Sequence, residues 1–256
     1  MVRLTMEQDI AGKKIFLLYP HSVIQEEMLD ILIMAGFESY VVLDRKRALK
    51  LLKKFPGSIM FINIDENLSE KEWEEYVRGI QEDPALKDSR LGILSYNTDQ
   101  RLMQKFLIDM AVPCGYIQLK LGVKESTRIM LSALEANEAR GRRKCIRAFC
   151  DQDALATVNF KDSHGSFIDG KILDISAVGI AAKFKGFEDI PPNSVVKEVQ
   201  LKLHGSLVLS NMVFMGRRQD KVVLLLFDPK MDQSKKAAVH RFIKYTIQQY
   251  MDTLKV

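Results

Sequence analysis

Residues 165–184 read "GSFIDGKILDISAVGIAAKF", two apolar runs that are separated by only a few small residues. Runs of this length, with no helical pattern between them, predict two consecutive β-strands joined by a tight turn. Four other segments are also short apolar runs without a helical pattern, and they lie at 155–160, 194–203, 206–216 and 221–227. Six short strands at this spacing predict a small antiparallel barrel.

A helical pattern follows the last of these strands, from about residue 233 to residue 254. Its apolar residues fall at 238, 239, 242, 243, 246, 247 and 250. This spacing places them on one side of a helix, so we expect that side to pack against the rest of the protein.

Upstream of the barrel, short apolar runs alternate with helical patterns. Strands are predicted at 14–19, 40–44, 58–64, 91–96 and 115–120. Helical patterns follow them at 23–37, 45–57, from about Ser69, at 100–110 and at 124–140, and Gly36 stands where a helix C-cap glycine belongs. Five strands, each followed by a helix, predict a parallel sheet that is covered on both faces.

The join between the two halves is strongly basic. Residues 140–147, "RGRRKCIR", hold five cations and no acid, and we place the domain boundary there, with a first domain at 1–139 and a second at 140–256. Arginine donates two parallel hydrogen bonds either to phosphate oxygens or to O6 and N7 of guanine. Arg143 and Arg147 are four positions apart and Arg142 adds a third guanidinium, so the cluster predicts an anion site.

About thirty residues later the chain reads "DISAVG", residues 174–179. Asp174 and Ser176 are two positions apart, so on an extended strand both side chains point to one side. Gly179 is expected to let the backbone turn and approach a ligand closely. A carboxylate here could accept hydrogen bonds from N1 and N2 of guanine, the edge that the arginines leave free. Together, the arginines and the acid predict a guanine-nucleotide site.

These two motifs resemble those of the PilZ family of bacterial cyclic di-GMP receptors, over about residues 140–256. In that family RxxxR begins a six-stranded barrel and [D/N]xSxxG follows one hairpin later, and both motifs are complete here. The resemblance implies that cyclic di-GMP is the ligand and that it is bound by Arg142, Arg143, Arg147, Asp174, Ser176 and Gly179. It also implies that an arginine directly before RxxxR, here Arg142, favours two stacked ligand molecules over one.

We expect residues 140–147 to act as a ligand-binding hinge. Like charges repel along this segment and its sequence shows no apolar anchor, so we expect it to be mobile in the free protein. Cyclic di-GMP would draw the arginines onto the barrel and order the linker. Domain orientation and partner binding would then change.

The first half looks like the receiver domain of two-component signalling, by topology more than by motif. Phosphorylation of a receiver needs acids after the first strand for Mg²⁺, an Asp at the end of the third strand, a Ser or Thr after the fourth and a Lys after the fifth. The residues found at these positions are, in turn, Tyr19, Pro20 and His21, then Asn63, Ser95 and Lys120. An amide cannot take a phosphoryl group, so we interpret this half as a degenerate receiver that offers a surface to a protein partner.

One acid does lie near the expected acceptor position. Asp65 could serve as an acceptor in a shifted register, but we favour its interpretation as a strand-end residue before the helix that starts near Ser69. Trp73 and Tyr76 in the next segment are expected to be packing residues.

Several other classes of function are not expected. The sequence has no GxSxG, Walker or GxGxxG motif, so we predict neither an enzyme nor a cofactor. Dispersed histidines and cysteines without a CxxC pair predict no metal site and no disulfide; they are His21, His164, His204, His240, Cys114, Cys145 and Cys150. A single basic cluster without interleaved aromatic residues argues against nucleic acid. No apolar run fits a signal peptide or a membrane span, so we expect a cytoplasmic protein without membrane insertion.

A blander interpretation of the two motifs stays open. A basic segment between domains is often only a solvated connector, and a DxS sequence is often only a turn that caps a strand. The alternative function is an adaptor that has kept the PilZ fold and acts by protein contacts alone. In that case the arginines would form a rim for an acidic partner.

Overall fold

The structure is a computed structural model that describes residues 12–162, 164–187, 190–218 and 220–256. Residues 1–11, on which part of the signal-peptide expectation rests, lie outside the described residues. The chain divides into two compact units. The first runs to Lys144 and also includes Leu254–Val256, and the second is Cys145–Thr253.

The first unit is built on a five-stranded sheet with the order β2-β1-β3-β4-β5. Its strands are β1 Ile15–Leu18, β2 Ser39–Val42, β3 Ile59–Asn63, β4 Arg90–Ser95 and β5 Tyr116–Gln118. All neighbours are parallel, and this is the flavodoxin-like order of doubly wound folds. Every residue of β1 and β3 is buried, as expected for parallel strands that are covered on both faces.

Helices connect these strands, as the sequence predicts. They are α1 Ser22–Met34, α2 Arg45–Lys54, α3 Glu70–Glu82, α4 Gln100–Gln104 and α5 Val123–Ala136, and α4 continues as a π-helical turn over Lys105–Asp109. A capping box between Ser69 and Glu72 starts α3, because each side chain satisfies a backbone N–H of the other residue.

The end of α1 confirms the predicted role of Gly36. Its φ is +89°, and the N–H of Phe37 donates to the carbonyl of Leu32 at 3.0 Å. This is a Schellman motif, in which glycine is favoured because it adopts a positive φ without strain.

The aromatic residues of α3 pack as expected. Trp73 is fully buried and its Nε1 donates to the carbonyl of Glu66 at 3.1 Å. The hydroxyl of Tyr76 donates to the carbonyl of Arg45 at 3.0 Å, and burial raises the pKa of Tyr76 above its usual range.

The second unit is a closed antiparallel barrel of six strands. They are β7 Ala156–Lys161, β8 Phe167–Ser176, β9 Gly179–Phe184, β10 Val195–Leu203, β11 Ser206–Arg217 and β12 Val223–Phe227. The order is β8-β7-β10-β11-β12-β9, and pairing of β8 with β9 closes the ring. A further short strand that the sequence analysis did not predict, β6 (Arg147–Phe149), pairs with β8.

A long helix, α6 (Gln233–Thr253), completes this unit. It buries Val239, Phe242, Ile243, Thr246, Ile247 and Met251. The prediction that residue 250 belongs to this side is wrong: Tyr250 is 56% exposed and Met251 is 1% exposed, since the buried stripe continues four residues after Ile247 and not three.

The predicted fold class is confirmed: a parallel α/β unit is followed by a six-stranded barrel and a C-terminal helix. Within the described ranges, no helix combines the length and the apolar character that crossing a membrane requires.

Candidate functional site on the barrel

Strand β6 brings Arg147 alongside β8. The two strands are antiparallel, with Arg147 opposite Ser176 and Phe149 opposite Asp174. Ala148 between them is fully buried, so Arg147 and Phe149 share the opposite, outward face with the two β8 residues. The Nη1 of Arg147 lies 3.7 Å from Oδ1 of Asp174. The second arginine of RxxxR and the acid of DxSxxG therefore meet as an ion pair.

A β-bulge in β8 determines where Asp174 points. The register between β8 and β9 shifts between Ile172 and Asp174, which leaves Leu173 as the extra residue. Ile172 and Ile175 are both fully buried although they are three positions apart. A regular strand alternates with a period of two and would turn Asp174 inward with Ile172. Because of the bulge, Asp174 and Ser176 face outward beside β6, and the Asp174 side chain remains 14% exposed.

Ser176 organises the turn between β8 and β9. Its hydroxyl donates to the carbonyl of Gly179 at 3.3 Å and accepts from the N–H of Val178 at 3.4 Å. Ser176 is 5% exposed, so its first role is to hold the turn in place.

Gly179 is required for a reason other than the expected one. Its φ is not positive, and a Cβ at this position would lie 2.3 Å from the carbonyl oxygen of Leu225 on the neighbouring strand β12. The missing side chain therefore allows β9 and β12 to approach closely. The turn itself is formed by Ala177 and Val178, directly before Gly179, and a close approach of a ligand to Gly179 stays a prediction.

The six predicted ligand residues fall into two groups. Arg142 and Arg143 belong to the first compact unit, whereas the second contains Arg147, Asp174, Ser176 and Gly179. Arg142 is exposed and Arg143 is partly buried, both in the irregular segment between α5 and β6. With the described residues, neither guanidinium forms an ion pair or a hydrogen bond. The structure brings together the four residues of the barrel, and a ligand role for the other two stays a prediction.

The segment 140–147 has anchors that we did not expect. The guanidinium of Arg140 lies 5.0 Å from the ring centroid of Phe37, and the carbonyl of Lys144 approaches Gly36 so closely that a Cβ there would lie 2.7 Å from its oxygen. Ile146 is 8% exposed. The expectation that this segment lacks apolar anchors is wrong, because its apolar residues begin the alternation of β6. Its mobility in the free protein stays a prediction.

In the first unit, the position of a receiver's phosphate acceptor is closed by internal hydrogen bonds. Asn63 is fully buried; its Nδ2 donates to the carbonyl of Tyr19 at 2.8 Å, and its Oδ1 accepts from the N–H of Asp65 at 3.2 Å. The carboxylate of Asp65 accepts from the N–H of Tyr96 at 2.7 Å and from the hydroxyl of Ser95. These polar groups tie strand ends together and are engaged with one another.

Two further receiver positions, His21 and Lys120, differ in how they are engaged. His21 is the N-cap of α1, where its Nδ1 accepts from the N–H of Val23 at 3.4 Å. Lys120 is exposed and forms no ion pair with a described residue. In the described part of the chain, no group of three or more His, Cys, Asp or Glu side chains could hold a metal ion.

Phe149 is the residue of this site that sequence reasoning missed. Ile146, Ala148 and Cys150 are buried, whereas Phe149 is 67% exposed on the face of Arg147. The alternation was visible in the sequence as a period of two, but the basic cluster suggested a linker and the strand went unpredicted.

No family model and no curated protein matches the chain. Among solved structures it is similar to the PilZ domain with c-di-GMP of YcgR from Escherichia coli, with 10% identity, a TM-score of 0.37 and coverage of 44% of this chain and 99% of that one. It is also similar to the MrkH–c-di-GMP complex from K. pneumoniae, with 13% identity, a TM-score of 0.34 and coverage of 40% of this chain and 50% of that one, so it spans about half of MrkH.

A third similar structure is the signal receiver domain of an HD domain-containing protein from Pseudomonas fluorescens Pf-5. The identity is 15%, the TM-score is 0.39, and 50% of this chain and 90% of that one are covered. By its own strand order and barrel closure, the chain combines a parallel α/β unit, receiver-like in strand order, with a closed six-stranded antiparallel barrel.

Proposed function

We propose that this protein is a cyclic di-GMP sensor and that the ligand binds on the outer face of the barrel. The observation that carries the proposal is the juxtaposition of Arg147, Asp174 and Ser176 on one face, produced by β6 and by the bulge in β8. An arginine fork suits a phosphate or the O6 and N7 of guanine, and a carboxylate suits guanine N1 and N2. A cyclic dinucleotide with two phosphates and two guanines presents both.

The ion pair in the ligand-free site is compatible with this role. The side chains of Arg147 and Asp174 are 36% and 14% exposed, and the charged atoms are 3.7 Å apart. A partly exposed pair of this kind contributes about 1 kcal/mol or less. Each partner can therefore turn to a ligand group at little cost.

Regulation follows from how the arginines are divided between the units. Arg142 and Arg143 belong to the first unit, and Arg147 and Asp174 to the second. A dianionic ligand held by all three guanidinium groups would couple the two units. We propose that it orders residues 140–147, changes the orientation of the units, and so changes which protein partner binds the receiver-like unit. Signalling in this scheme needs no catalytic step.

Isothermal titration calorimetry with cyclic di-GMP tests the proposal and reports the number of ligands per chain. We expect Arg147→Ala to lose charge-assisted hydrogen bonds worth about 1.5 to 3 kcal/mol, a drop in affinity of about ten- to hundredfold. Arg218→Ala is the matched control, since Arg218 is an exposed arginine of the same unit. Equal affinities for both variants would contradict the assigned site.

Thermal unfolding separates the sensor from the adaptor. At a ligand concentration a hundred times Kd, cyclic di-GMP should add about 2.7 kcal/mol to the free energy of unfolding. If neither heat of binding nor a thermal shift is found, the adaptor that acts by protein contacts alone is the better account.

A further inference from the structure

A solvent-exposed aromatic side chain lies at the edge of the candidate site. Phe149 is 67% exposed and lies two positions after Arg147 on β6, directly opposite Asp174 on β8. Directly opposed residues on antiparallel strands have Cβ atoms about 4.5 to 5.5 Å apart. The Phe149 ring, the Arg147 guanidinium and the Asp174 carboxylate therefore lie next to one another on the same outward face of the barrel.

The exposure of Phe149 is not compensated by packing within the described structure. None of the aromatic pairs and cation–π contacts between described residues involves Phe149. By contrast Phe167, another exposed phenylalanine of the barrel at 56%, lies 5.3 Å from the Nζ of Lys161. A lone exposed aromatic residue is common on protein surfaces. An exposed ring beside an arginine and a carboxylate is a different surface, because the polar groups can bind the edge of a base while the ring stacks on its face.

The strand geometry keeps the ring in place. Ala148 and Cys150 on either side of Phe149 are buried at 0% and 1% exposure, and the N–H of Cys150 donates to the carbonyl of Leu173 at 2.7 Å. Both buried neighbours fix the outward direction of the Phe149 side chain. The Phe149 side chain therefore loses little conformational entropy when a flat ligand binds, and preorganisation of this kind favours binding.

We propose that the Phe149 ring is a stacking platform for one guanine of cyclic di-GMP, which makes it a ligand-binding residue outside both sequence motifs. This inference rests on the proposed function. The base would lie against the ring, with its N1 and N2 edge toward Asp174 and its O6 and N7 edge toward an arginine. Stacking of a base on an aromatic side chain contributes about 1 to 3 kcal/mol by alanine substitution. This converts to a loss of about five- to hundredfold in affinity when the ring is removed.

Calorimetry on the full chain with three variants tests the platform. Phe149→Leu removes the aromatic face but keeps an apolar side chain, and we expect cyclic di-GMP to bind at least fivefold more weakly. Phe149→Tyr keeps the face and should bind within about twofold of the unchanged protein. Phe167→Leu is the matched control, since Phe167 is similarly exposed on the same barrel, and it should bind normally. Because both phenylalanines are exposed, neither leucine variant removes a core side chain.

A fluorescence measurement reports the contact directly. The chain has a single tryptophan, and Trp73 is fully buried, so a new surface tryptophan adds a separable signal. In Phe149→Trp, added cyclic di-GMP should quench this signal as guanine stacks on the indole. In Phe167→Trp it should not.

The possible outcomes separate this inference from the proposed function. If the unchanged protein binds and Phe149→Leu binds equally well, the platform is overturned and the sensor stands. Weaker binding by Phe149→Leu with no quenching in Phe149→Trp also overturns the platform, because the ring would then act without facing the base. If the unchanged protein does not bind cyclic di-GMP at all, the sensor and the platform fall together.

Discussion

The two units engage their polar groups differently. In the receiver-like unit, Asn63 is fully buried and donates to the carbonyl of Tyr19, and Asp65 accepts from Ser95 and Tyr96. In the barrel, Arg147 and Asp174 face outward and share only a partly exposed ion pair at 3.7 Å. The buried Asn63 amide is satisfied by the protein itself and the exposed Asp65 carboxylate is held by two donors near the end of β4, whereas the ion pair of the barrel brings an arginine and a carboxylate together at the surface.

This difference separates polar groups that stabilise the fold from polar groups that are open to a ligand. In the first unit, groups at the ends of β1, β3 and β4 hydrogen-bond to one another and stabilise the fold. A polar group that is fully satisfied inside the protein has nothing left to offer a substrate. Function in this chain is therefore expected where the polar groups are unsaturated, at the outer face of the barrel.

Asn63→Asp is the substitution for which we expect the largest effect on stability. It would place a carboxylate, fully buried, against the carbonyl oxygen of Tyr19, which now accepts from the Asn63 amide at 2.8 Å. Two acceptors would then face each other and one would carry a charge, so we expect the free energy of unfolding to fall by about 3 kcal/mol. Urea unfolding at neutral pH measures the loss.

Asn67→Asp is the control for that variant, because Asn67 is an exposed residue of the same unit with a φ of 72°, which Asp tolerates. Its stability should change by no more than about 0.5 kcal/mol. A stable Asn63→Asp protein that is labelled by acetyl phosphate with Mg²⁺ would break the comparison, since the first unit would then have kept a receiver's chemistry.

Gly179→Ala tests whether the barrel depends on the close approach of β9 and β12. The added Cβ would lie 2.3 Å from the carbonyl oxygen of Leu225, so β9 and β12 must separate. We expect a loss of about 1 to 3 kcal/mol in stability, the usual range for overpacking. Gly205→Ala, in the turn between β10 and β11, has no heavy atom within 4 Å of the new Cβ and no positive φ, and it should be close to neutral. Equal stability of the two variants in urea would show that close approach of the strands is not what Gly179 provides.

Thiol labelling sharpens the hinge prediction with a smaller effect. Burial raises the pKa of Cys114 to about 11 and that of Cys150 to about 12, with the carboxylates of Asp153 and Asp174 adding to the second shift. Both thiols therefore stay protonated at neutral pH and should react slowly with iodoacetamide. Cys145 is partly exposed and lies between Arg143 and Arg147, so it should react first.

Cyclic di-GMP should slow the labelling of Cys145 several-fold if it orders residues 140–147, and mass spectrometry of the labelled peptides measures this. The same ligand should give no protection in Arg147→Ala. An unchanged rate for Cys145 in the saturated wild-type protein would mean that the ligand leaves the hinge as it was.

Much of this architecture could be predicted from the sequence, because the signals are local. The six strands of the barrel, the five parallel strands and the capping of α3 at Ser69 all follow from periodicity and end signals. The pairing of Arg147 with Asp174 depends on a short strand, whose period-two alternation overlaps the basic cluster, and on a one-residue register shift, which has no local signal. Phe149 was not predicted as a site residue because only the pairing of β6 with β8 places it opposite Asp174.

The bulge at Leu173 also has a consequence for how related sequences should be compared. If β8 kept this sequence but paired with β9 without the register shift, every letter of the DxSxxG motif would remain, yet the aspartate would turn inward with Ile172 and the recognition surface would be lost. A related chain without Leu173 would place its aspartate directly after the interior isoleucine, where regular alternation already turns it outward. The number of residues between that isoleucine and the motif therefore shows whether a bulge is required, which the motif letters alone do not.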